Sequence, residues 1–112
     1  MADVRAYGRN YLRTKRWHER TEDQQARIEC ALKAFRTYRL NVGEAFSDEN
    51  PWAMAPPDME TLTDYLGTIA IASSRWQELS IAALRLYCLH HDQPLLFRMV
   101  ELKHLRAIFI TR

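Results

Sequence analysis

The chain has 112 residues, 47% hydrophobic and 27% charged, with a net charge of +2. A chain of this length supports one domain that buries roughly 65% of its unfolded surface, so it needs no metal or disulfide staple, and its apolar content excludes a disordered protein. No window approaches a run of about 18 apolar residues and the N-terminus has no apolar signal core, so the expected protein is cytoplasmic and makes no use of a membrane.

The charge is segregated. Residues 1–40 hold ten Lys or Arg against five Asp or Glu, residues 41–68 hold six acids and no base, and residues 69–112 hold six bases against three acids. Such blocks imply either an internal complement between an acidic loop and a basic face or two separate partner surfaces. Three glycines and four prolines are few, which favours long helices over a turn-rich β fold. Cys30 and Cys88 read as reduced core residues rather than a disulfide framework.

Residues 3–19 have the pattern of a basic amphipathic helix. Arg5, Arg9, Arg13, Arg16 and Arg20 recur at spacings of 4, 4, 3 and 4, which sets them within about 80° of one helix face. Guanidinium groups suit phosphate or carboxylate bidentately. Lys15 and Trp17 flank the row, and a tryptophan beside arginines is suited to stack on an exposed base.

A second helix is expected from Thr21, as N-cap with Gln24 three positions on, to about Leu40, with Gly43 as its stop. Ile28, Ala31, Leu32, Phe35, Tyr38 and Val42 form its core stripe, while Lys33, Arg36 and Arg39 extend the basic surface. Residues 43–57 follow as a long acidic loop containing Pro51, Pro56 and Pro57; Phe46, Trp52 and Met54 either pin it to the core or form an exposed binding tip. Asp58 is the expected N-cap of the next helix.

The segment 59–91 has the densest apolar content. Leu62, Tyr65, Leu66 and Ile69 keep helical spacing, a break is expected near Ser73, Ser73 and Ser74 are both good N-cap residues, and Ser74 with Gln77 has the spacing of a capping box. Residues 74–91 carry apolar groups on two sides, the pattern of a central helix. Asp92-Gln93-Pro94 stops it and starts a last helix, on which Leu95, Met99, Leu102, Leu105 and Phe109 share a stripe.

Chemistry-bearing motifs are sparse. Cys88, His90, His91 and Asp92 lack a second ligand pair at metal-site spacing, and Glu101 and His104 make one Glu-x-x-His where a di-iron bundle needs two. There is no glycine-rich phosphate loop and no nucleophile elbow. No catalytic residue, cofactor or metal is therefore expected, and the chain reads as non-enzymatic.

These features together predict an all-α fold spanning residues 1–112, a compact single-domain bundle of four to five helices around a central helix at 74–91. The alternative is α+β, with short strands near 68–72 and 107–111. The function they point to is a small binding or regulatory protein that contacts nucleic acid or a nucleoprotein complex through Arg5, Arg9, Arg13, Lys15, Arg16, Trp17 and Arg20. The alternative is a protein–protein interaction module, such as a phage or mobile-element inhibitor or a dimerising subunit. It would act through Glu44, Asp48, Glu49 and Trp52 of the acidic loop and through the C-terminal helix.

Overall fold

The computed structural model describes the backbone of residues 15–110 and the side chains of residues 17–102. A short helical segment, Lys15–His18, precedes four helices: α1 (Glu22–Asn41), α2 (Met59–Ile69), α3 (Ser74–His90) and α4 (Pro94–Ile110). Among the described residues there is no strand, so the fold is all-α. Residues 68–69 close α2, 70–72 form a turn, and 107–110 stay helical, so the strands envisaged near 68–72 and 107–111 do not form over their described residues.

Local signals set the helix boundaries. At the start of α1 the capping box closes in both directions, Gln24 N donating to Thr21 Oγ1 at 3.1 Å and Thr21 N to Gln24 Oε1 at 3.0 Å. Asp58 caps α2 by accepting from Thr61 N at 2.7 Å. The cap of α3 is Ser73, the first of the two serines expected there, and it accepts from Trp76 N. Gln77 closes no capping box there. Its amide instead donates to the carbonyls of Ala70 and Ala72, joining α3 to the turn before it.

Helix α3 packs against α1, α2 and α4. Its buried residues are Ser80, Ile81, Ala83, Leu84, Tyr87 and Cys88, while Ala82 joins Glu78 and Arg85 on the open side. Leu62, Tyr65, Leu66 and Ile69 of α2 are all buried, and α4 contributes Leu96 and Val100. Phe35 lies at the centre, its ring 4.7 Å from that of Tyr65 and 6.4 Å from that of Tyr87. One cysteine departs from expectation: Cys88 is in this core but Cys30 is exposed, because it falls off the Ile28-Leu32-Phe35 stripe of α1.

Two glycines give the same substitution opposite signs. Gly43 has φ +101 and ends α1, whereas Gly67 lies within α2; an added Cβ would meet no atom within 4 Å at either place. Backbone preference alone then decides. Gly43→Ala is expected to lower stability by about 1 kcal/mol, because it forces a side chain into the left-handed region. Gly67→Ala is expected to raise it by about 1 kcal/mol by restoring helix propensity. Urea denaturation of the two variants checks both signs.

Candidate functional site

The loop between α1 and α2 carries the chain's acidic block, and its geometry starts from how α1 ends. Gly43 N donates to Leu40 O at 3.1 Å and Glu44 N to Arg39 O at 3.0 Å, the paired bonds of a Schellman motif with Gly43 in the left-handed position. That motif brings the residue after the glycine back over the last turn, where an apolar contact usually forms. Here the two residues are Arg39 and Glu44, and the contact is an ion pair. Arg39 Nε and Nη2 donate to the two Glu44 carboxylate oxygens, each at 2.8 Å.

The same guanidinium reaches the far end of the loop, Nη1 donating to Ala55 O at 2.6 Å. It lies 4.7 Å from the Phe46 ring centroid and 5.5 Å from that of Phe35. Arg39 is only 1% exposed, so it is a core residue and not part of the basic surface on which the sequence places it. Burial disfavours its charge, but the hydrogen bonds and charge of Glu44 outweigh that and hold its pKa above the ordinary value. Reciprocally, the hydrogen bonds from Arg39 hold the Glu44 carboxyl below its usual range.

Two further side chains fasten the loop. The Tyr87 hydroxyl donates to Met54 O, and His91 Nε2 meets Trp52 O at 2.5 Å, which requires the His91 proton on Nε2. The carbonyls of residues 52, 54 and 55 are thus each held by one side chain, from the end of α3, from α3 itself and from α1. Trp52 and Met54 are buried and Phe46 is half-buried, so they pin the loop to the core. Trp52 packs edge-on against Trp17 at 5.5 Å and against the His90 ring at 5.4 Å.

The histidines make this anchoring acid-sensitive. Burial lowers the pKa of both His90 and His91; the neighbouring His91 adds to the effect on His90, and for His91 the Trp52 carbonyl opposes it. A depressed folded-state pKa means that, below the ordinary imidazole value of about 6.5, the unfolded chain binds more protons than the folded one. The contribution is therefore complete above about pH 6.5 and is lost as pH falls through the folded values. The melting temperature is expected to start falling below about pH 6.5, well before the Glu44 pair is lost under more acid conditions, and His91→Gln should flatten that limb of the profile.

Burial pushes the Cys88 thiol up to about 12, leaving it protonated. Among the described residues no group of three or more His, Cys, Asp or Glu is placed to hold a metal, and His91 is engaged with Trp52 O. No helix among them is long and apolar enough to cross a membrane. Between α1 and the loop lies an open cleft of about 480 Å³ with mixed polar walls that include Glu29, Lys33 and Glu49.

Of the residues singled out in the sequence, the structure brings Trp17 and Trp52 together. Arg5, Arg9 and Arg13 lie outside the described residues, and Lys15 and Arg16 open the short segment that ends at His18. Arg20 is half-buried. Trp17, expected as a stacking platform, is only 7% exposed, since its ring is spent on Trp52. In the loop, Asp48 and Glu49 face solvent, Glu44 is committed to Arg39, and Trp52 is 3% exposed, so it is an anchor and not an exposed tip.

Sequence reasoning missed the three anchors Arg39, Tyr87 and His91. For Arg39 a signal exists, because Ile28, Leu32, Phe35 and Arg39 run at 4-3-4 spacing and place the arginine on the core stripe of α1. Comparison of the chain with protein-family models, with curated proteins and with solved structures gives no match in any of the three.

Proposed function

We propose that this chain is a non-enzymatic binding protein that contacts nucleic acid, free or within a nucleoprotein complex, through its basic N-terminal segment. The observation that carries this reading is the spacing of Arg5, Arg9, Arg13 and Arg16, which on a helix aligns four guanidinium groups along one face. The attachment of that segment supports it. Trp17 packs on Trp52, and Gln25 Nε2 donates to Trp17 O at 2.9 Å, so the basic segment joins the bundle at a fixed point. Glu44, one of the acids that would otherwise neutralise the row, is already paired with Arg39. With Trp17 buried, its ring does not stack on a base, and affinity rests on phosphate contacts.

The test is fluorescence anisotropy of labelled single-stranded and duplex DNA and RNA, titrated at two salt concentrations. Binding to duplex DNA is expected to weaken log-linearly with salt, by about 0.9 in slope per phosphate neutralised. The Arg9→Glu/Arg13→Glu variant should lose it. Absence of binding at low salt would overturn the reading.

A protein-interaction role is favoured by one observation: Asp48 and Glu49 are exposed on a loop held at three carbonyls, a rigid acidic surface suited to a basic partner. Asp48→Lys/Glu49→Lys would abolish that activity and leave phosphate binding in place.

A further inference from the structure

Helix α4 turns two different faces to its surroundings. Leu96 and Val100 are buried in the bundle at 5% and 0% exposure, while Leu95 and Leu102 stand out at 72% and 58%, with Arg98 exposed between them. Leu95, Arg98 and Leu102 follow the 3-4 spacing of a coiled-coil seam, and in the sequence Leu105 and Phe109 continue it. At 100° per residue these five positions span about 80°, and Val100 falls diametrically opposite the middle of that arc. Among the described residues the helix thus has one stripe for its own core, Leu96 and Val100, and a second, Leu95, Arg98 and Leu102, directed away from it.

We infer that α4 pairs with the α4 of a second copy of this chain, the two helices antiparallel and in register about residue 100. Charge selects both the occupant and the direction. A parallel seam would stack Arg98 on its own counterpart, a like-charge contact that opposes association. In the antiparallel register Arg98 lies across from Leu102 of the second copy and beside its Glu101, and the two-fold repeats that contact, so each arginine gains a carboxylate. The same register sets helix position 105 of the second copy across from position 95. A groove of about 570 Å³ between α4 and the end of α3, lined in part by Leu95, Arg98 and Leu102, borders the seam. The inference is independent of nucleic-acid binding, and its test contains none.

Sedimentation velocity of the full chain from about 1 to 100 µM should show a species of twice the 13.2 kDa chain mass. Leu102→Asp should raise the dimer dissociation constant at least about tenfold while leaving the far-ultraviolet circular dichroism unchanged, since this side chain is exposed in the single chain. Arg98→Glu should weaken the dimer similarly, and Arg98→Glu/Glu101→Arg should restore it. A monomer throughout the range, or a dimer indifferent to Leu102→Asp, would overturn the inference; failure of the charge exchange to restore pairing would overturn the antiparallel register.

Discussion

Replacing Glu44 by alanine is expected to destabilise the protein by about 3 kcal/mol, seen as a lower urea midpoint and a melting temperature reduced by about 10–15 °C. The size follows from which partner stays behind. The Arg39 side chain is 2% exposed and that of Glu44 35%, so removing the carboxylate strands a charge in the core, whereas removing the arginine leaves a carboxylate that water can reach. Adding Arg39→Met to Glu44→Ala should therefore recover part of the loss, although Ala55 O forfeits its donor at a cost of about 1 kcal/mol. A double variant less stable than Glu44→Ala would mean that the Ala55 bond and the contacts with Phe35 and Phe46 outweigh the stranded charge.

Trp52→Ala is expected to cost about 3–5 kcal/mol, the range for truncating a large buried aromatic residue. It removes the edge-on contact with Trp17 and the packing against His90 at once, and so loosens the loop and the junction of the basic segment together. The loss should appear in thermal unfolding without any partner present, and limited proteolysis should cut the loop faster than in the parent chain. An exposed binding tip would behave oppositely, losing affinity and keeping stability.

The legible part of this fold was local. Thr21 with Gln24, Asp58, Gly43 and Pro94 mark helix ends because each acts through its own backbone or through groups within a few residues, and the stripe Leu62-Tyr65-Leu66-Ile69 needs only the helical repeat to show which face is buried. The cap of α3, Ser73, was one of the two serines the sequence offers. Gln77 defeated the capping-box expectation because the carbonyls of Ala70 and Ala72, displayed by the turn, compete for its amide.

The candidate site was hardly legible. Arg39 reads as surface by charge, yet the Schellman turn at Gly43 folds Glu44 back onto it, and burial of the pair depends on Phe46 and Ala55 arriving from further along the loop. Trp17 looked like a platform beside arginines because its partner, Trp52, is distant in sequence. His91 looked like a helix-terminal histidine or a metal ligand, and only the return of the loop supplies the Trp52 carbonyl.

By itself the sequence determined helix type, most helix ends, the segregation of charge and the placing of an arginine row before the first long helix, since all of these rest on periodicity and near-neighbour chemistry. Only the tertiary structure decided that the acidic loop is fastened by Arg39, Tyr87 and His91, that Trp17 and Trp52 face each other, and that Leu95 and Leu102 of α4 point outward. Those outcomes depend on which carbonyls, rings and charges meet across long stretches of chain, and a buried charge is tolerable only once its partner has been carried to it.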